Sequence, residues 1–163
     1  MKRLLPFLLT IILASCGPAK SVSYTHYPLA PEGCTVSYSA LQSNGQLFII
    51  VTVKSDRLVF GNEPVMMLKN FDGEVLKLSG KNLQTQSETA GVFVNNILIP
   101  VPELSAIAQF PIGRSDIGFF RSGISKVRLT TVPIIHEKSF TQDKIGSYLF
   151  RELIKAYGSE ENF

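Results

Sequence analysis

The sequence predicts a mainly β fold: an antiparallel β-sandwich or open barrel of six to seven strands, with one short helix and a C-terminal α-helix. Three observations carry this. Apolar and polar residues alternate in short runs from Cys34 onward. Asn-Gly and Asp-Gly pairs, the strongest short hairpin signals, stand between such runs. A 3.6-residue period appears only near the C-terminus. With 163 residues, 45% hydrophobic and 18% charged, the chain suits one core and excludes a disordered or fibrous protein. Two Cys are too few for a disulfide scaffold.

The N-terminus comes first. Lys2 and Arg3 precede an apolar run over residues 4–13, interrupted only by Pro6 and Thr10. Its length of about ten residues falls short of the roughly 20 needed to span a bilayer and suits a secretory signal. Leu13-Ala14-Ser15-Cys16 follows directly. This stretch resembles the lipobox of bacterial lipoproteins, in which a branched apolar residue and two small ones precede the Cys that becomes the new N-terminus. The resemblance implies diacylglyceryl on the sulfur of Cys16, cleavage after residue 15 and a membrane partner reached through that lipid. Two or three acyl chains anchor stably where one does not. An ordinary signal peptide with an incidental Cys is the competing reading. Gly17 in place of Asp points, under the enterobacterial sorting rule, to the outer membrane. Removing the signal leaves 14 basic against 13 acidic residues, so nothing electrostatic favours nucleic acid as a partner.

Residues 16–33 read as the lipidated Cys and a Pro-rich tether, whose later part around Tyr24 and Tyr27 is open to packing against the domain, 34–158 as a single β-rich domain and 159–163 as a tail. Within the domain, Val36, Tyr38 and Ala40 alternate with hydroxyl residues, and Asn44-Gly45 then turns the chain into the apolar run 47–53. That run suits a central strand buried on both faces. Residues 65–69 and 74–78 flank Asp72-Gly73 as a second hairpin. The polar stretch 79–91 reads as a long loop, 92–101 as an extended segment and 105–112 as a strand. Ser115 is placed as the cap of a short helix, with Ile117 and Phe120 inward and Gly123 closing it. Over 124–132, Val127 and Leu129 face inward while Lys126 and Arg128 face water. Ser139 or Thr141 is the expected cap of a helix lined by Ile145, Tyr148, Leu149, Leu153 and Ala156 and ended by Gly158. Its mixed-charge polar side favours docking on the sheet over lying in a membrane interface.

A broader resemblance rests on Ala108-Gln109-Phe110-Pro111-Ile112, the short helix, Gly123-Ile124-Ser125-Lys126-Val127-Arg128-Leu129 and Asp143-Lys144-Ile145-Gly146. These segments resemble small envelope lipoproteins of Bacteroidetes-type bacteria, a group that carries no assigned activity.

Chemical motifs are sparse. His136-Glu137 lacks the second His of a zinc-binding His-Glu-x-x-His, since residue 140 is Phe. His136 therefore reads as an exposed residue at a strand exit. No Gly-x-Ser-x-Gly, Gly-x-Gly-x-x-Gly or Walker loop occurs. Cys34 reads as a small buried apolar residue, because a catalytic role needs a neighbouring His that sequence cannot place. No catalytic residue, metal site or cofactor is expected. Lys126 and Arg128 read as solvation or edge protection, with lipid headgroup contact the lesser reading. The stretch 79–91 exceeds the usual connection of about 4–6 residues. Its near-neutral set of donors and acceptors makes Gln84, Gln86 and Glu88 the expected ligand contacts, suited to a glycan or an envelope protein. The function expected is therefore a non-enzymatic binding or assembly module, lipid-anchored in the cell envelope. Its rivals are a small hydrolase built from dispersed residues and a subunit that adds a strand to a neighbour's sheet edge.

Overall fold

The computed structural model describes residues 21–26 and 34–158. The signal segment, Cys16 and the tail 159–163 lie outside the described residues. In chain order the strands are β1 (Val22–His26), β2 (Cys34–Ser43), β3 (Gln46–Ser55), β4 (Val59–Phe60), β5 (Val65–Asn70), β6 (Val75–Ser79), β7 (Lys81–Val94) and β8 (Ile97–Ile112). A 3₁₀ helix over Arg114–Ser122 leads to β9 (Ile124–Leu129), β10 (Thr131–Val132), β11 (His136–Ser139) and α1 (Gly146–Gly158). All pairings are antiparallel. One sheet has five strands in the order β1-β2-β3-β8-β7; another has four, in the order β11-β9-β5-β6; β4 and β10 form a short third ladder.

The expected fold class is the one observed, and its first hairpin follows from turn chemistry. Asn44 and Gly45 take φ of 50° and 72°, values that ordinary L residues avoid, and so close β2 onto β3. Along β3, Leu47, Ile49, Val51 and Val53 are buried and residues 48, 50 and 52 are half-buried. The run expected to be buried on both faces is thus fully buried on one. From the other sheet Met66, Leu68, Val127 and Leu129 enter the same cluster, which makes the two sheets halves of one sandwich-like core.

Four expectations are corrected. The polar stretch 79–91 is largely strand β7, and the extended segment 92–101 holds a turn at Asn95-Asn96, whose φ values are 49° and 63°. Asn tolerates the left-handed region, so this pair does the work of Asn-Gly. The later part of the tether, left open between free chain and packing on the domain, is strand β1, paired over five rows with β2. Ser115 does not cap the short helix: Gly113 stands at its N-cap with no side-chain bond, although Ile117 and Phe120 are buried as expected. The cap of α1 is neither Ser139 nor Thr141 but Asp143, whose carboxylate accepts the N–H groups of Ile145, Gly146 and Ser147. The same carboxylate accepts the Ile124 N–H at 3.0 Å, tying the helix start to β9. Leu149 and Leu153 are fully buried, so α1 docks on the body, against the 3₁₀ helix and β2.

Gly80 is the corner at which the chain leaves the four-stranded sheet for β7. Its N–H donates to Pro64 O at 2.8 Å. A Cβ there would stand 2.5 Å from the Gln109 carbonyl oxygen and 2.6 Å from the Phe110 ring. Gly80→Ala is expected to cost about 1–3 kcal/mol in chemical denaturation, because backbone must shift to admit the methyl. For Asp143, burial pushes the carboxyl up, but bonds from the Ile124, Ser147 and Gly146 N–H groups and the Ser147 hydroxyl outweigh it, leaving the group below its usual range. A depressed carboxyl stabilises the fold fully above about pH 5 and loses that contribution as pH falls through its folded value. Asp143→Ala is expected to cost about 1–2 kcal/mol at neutral pH. Asp143→Asn should flatten the acid side of the stability curve, measured by thermal unfolding between pH 3 and pH 7.

Candidate functional site

Two places in the molecule bring chemistry-bearing side chains together. The first is a chain of polar groups under β1. Cys34, at the start of β2, points into the core, as does Tyr38 four residues on. Tyr24 of β1 lies over them, its ring stacked on those of Tyr38 and His136. Its hydroxyl meets Tyr38 Oη at 3.0 Å and His136 Nε2 at 2.9 Å. His136 Nδ1 completes the chain 3.6 Å from Cys34 Sγ. The expectation of an exposed His136 is therefore corrected: its side chain is fully buried, because β11 pairs with β9 and turns this residue inward. The Thr131 hydroxyl accepts the His136 N–H at 3.1 Å and holds the strand start in place.

Cys34 thus has the His that nucleophilic catalysis would require, but in the wrong surroundings. Burial pushes the thiol up to about 11, with the negative charge of Asp56 adding to the rise. A nucleophilic Cys needs its thiolate stabilised and reachable. Both Tyr hydroxyls are likewise pushed up by burial. The arrangement satisfies buried polar groups against one another, and it packs as core. Among the described residues no group of three or more His, Cys, Asp or Glu could hold a metal ion.

The second place is the β7–β8 hairpin. β3 ends at Ser55, in register with Leu104, which is paired in turn with Ser87. Seven further rows, from Glu88↔Glu103 to Val94↔Ile97, continue with no third strand beside them among the described residues. At about 3.4 Å per residue this two-stranded ribbon extends roughly 20–24 Å past the sheet. Every residue from Leu83 to Thr89 is exposed. Gln84, Gln86 and Glu88 share one face with Ile107, Ser105 and Glu103, the face opposite buried Ala106 and Ala108. The expected ligand contacts are therefore brought together, as a row on a strand in place of a loop. No ionisable residue occurs over 89–102, and near the tip Ile97, Leu98 and Ile99 are 66%, 57% and 43% exposed. Successive strand residues point to opposite faces, so both sides of the tip are apolar.

The two edges of this ribbon differ. On β8, Pro100 and Pro102 remain in the ladder with β7. A Pro fits only where the missing N–H is not needed, so these positions face outward and leave that edge short of donors. Their register partners Gly91 and Thr89, and with the same alternation Ser87 and Thr85, direct their own N–H and C=O groups away from β8. β7 is the terminal strand of its sheet, is 14 residues long and carries no Pro. The other terminal strands are short: five residues in β1, five in β6 and four in β11.

Lys126 and Arg128 lie on β9, an interior strand, so edge protection is not their role. They share an outward sheet face with Met67 and Lys69, and Lys126 Nζ pairs with Glu137 at 2.7 Å. Compared with protein-family models, curated proteins and solved structures, the chain matches none.

The buried thiol gives a direct check. In the folded protein at pH 8, Cys34 should resist iodoacetamide, mapped by peptide mass spectrometry, and should alkylate completely in denaturant. Rapid alkylation of native Cys34 would put the polar chain within reach of solvent.

Proposed function

We propose that this protein is a lipid-anchored component of the cell envelope, held at the outer membrane through Cys16, that works as a non-enzymatic binding and assembly module. The observation that carries the binding half is the open edge of β7. A long strand edge without Pro or inward charge is a template for pairing, and proteins that stay apart normally blunt it. Main-chain pairing along such an edge supplies affinity, and the side chains on either face supply selectivity. Gln84, Gln86 and Glu88 form that selective row. The fit is to an extended protein segment, which uses the outward N–H and C=O groups of Thr85, Ser87 and Thr89. A glycan would use the side-chain row alone.

The anchoring half rests on the resemblance of residues 13–16 to a lipobox. No helix among the described residues is long and apolar enough to cross a membrane, so attachment through lipid on Cys16 asks nothing further of the fold. A hydrolase that used Cys34 and His136 is disfavoured by a thiol that is buried and pushed up to about 11.

Two variants test the two halves separately. Cys16→Ala should abolish acyl labelling and leave an uncleaved or mis-sorted precursor in membrane fractionation; labelling at the original level would refute the anchor. Ser87→Pro removes an outward donor from β7 while sparing its ladder to β8. It is expected to dissolve complexes seen on native gels of detergent-solubilised membranes while the protein keeps its cooperative unfolding transition, because Pro is tolerated on an edge strand where its N–H would face outward. Complexes that survive Ser87→Pro would show that the β7 edge is not the docking element.

A further inference from the structure

We infer that the occupant of the β7 edge is β7 of a second copy of this chain, paired antiparallel about a two-fold axis through Gln86. The inference rests on the reading of β7 as a docking edge and names its partner. It begins with where the free edge starts and stops. At its N-terminal end the edge is already occupied: Asn82 N–H donates to Asn62 O at 3.3 Å, and the Asn82 side chain donates to Phe60 O at 2.9 Å. Beyond Thr89 the polar sequence gives way to the uncharged tip. The free polar stretch is therefore 83–89, and its midpoint is Gln86.

A sheet continued across a two-fold axis must place residues of one face opposite residues of the same face, with the central residue facing itself. Centred on Gln86, the outward row reads Gln84 opposite Glu88, Gln86 opposite Gln86 and Glu88 opposite Gln84. Each carboxylate then accepts from a facing amide, and the central amides pair with one another. On the other face Thr85 meets Ser87 twice, a hydroxyl pair of the kind that stabilises neighbouring strands. The backbone agrees: Thr85 and Ser87 are the residues whose N–H and C=O groups point outward, and this register makes them exchange both bonds.

The row also answers a local difficulty. Within one copy Glu88 stands directly opposite Glu103, and like charges so placed repel. A partner's Gln84 brings an amide donor to Glu88 on its open side. Sliding the centre to Glu88 would instead oppose two carboxylates, so the sequence itself selects against that register.

The assembly closes on itself, since the axis sets the free β7 edge of each copy against that of the other.

Gln86 facing Gln86 makes the test specific. Opposed residues in an antiparallel pair have Cα atoms about 4.5–5.5 Å apart, inside the span a disulfide bridges. In the full chain, kept in its own membrane and oxidised, Gln86→Cys should give a reducible dimer. Its yield should exceed that of Leu41→Cys, an exposed residue of β2, by about ten-fold. Charge exchange supplies the second arm and guards against misfolding. Gln86→Lys alone and Gln86→Glu alone should each lose the dimer in detergent, and co-expression of the two should restore it. Absence of the Gln86→Cys dimer, or equal linking through Leu41→Cys, overturns the inference. A link from residue 86 to a protein of different mass also overturns it, while leaving β7 as a docking edge for another partner.

Discussion

β3 and β8 pair over nine rows, from Leu47↔Ile112 to Ser55↔Leu104, and the rest of the molecule is arranged around that ladder. It places Ile49, Val51, Ala108 and Phe110 side by side in the floor of the core, against which Met66, Leu68 and Leu129 of the other sheet pack. It also sets a length mismatch. β3 stops at Ser55 while β8 begins at Ile97, so β7 and β8 extend past the sheet as a ribbon. The core fixes one end of that ribbon, and none of the described elements packs beside the other. A single strand is thus divided: residues 104–112 of β8 serve the body and 97–103 serve the arm.

Much of this architecture was legible in the sequence, and the misses have specific causes. Asn44-Gly45 and Asp72-Gly73 marked two hairpins because Gly relieves the steric cost of positive φ. Asn95-Asn96 makes the same kind of turn without Gly and passed unread, which split one long hairpin into a loop and an extended segment. Polar alternation contributed to the error. Residues 83–89 carry no buried face, so the apolar period that announces a strand is missing where a strand has solvent on both sides. Gln84, Gln86 and Glu88 are notable in the sequence for their donors and acceptors; their common face comes only from the pairing with β8. His136 was read from its neighbours in sequence, yet its environment is made by Tyr24, 112 residues away.

The buried chain from Cys34 to Tyr38 shows how proximity and reactivity part company. A Cys and a His within contact distance are the raw materials of a nucleophile, but their burial beneath Tyr24 favours the uncharged thiol. What the grouping supplies is specificity of packing. The polar atoms bond to one another across strands, so β1, β2 and β11 are held in one relative placement. β1 in particular, only five residues long, gains through Tyr24 a tertiary hold that its ladder alone would not give.

That hold on β1 bears on the proposed attachment. Counted from Cys16, only six residues reach Val22, where the chain joins the sheet. Fully extended, six residues cover about 20 Å. A domain held through the proposed lipid on Cys16 would therefore stay close to the lipid surface, and its encounters would be confined to a thin layer. Two copies so held on one leaflet would meet at an effective concentration far above their average in the compartment. Edge pairing and anchoring would then reinforce each other, because a copy that lets go of its partner stays within reach of it.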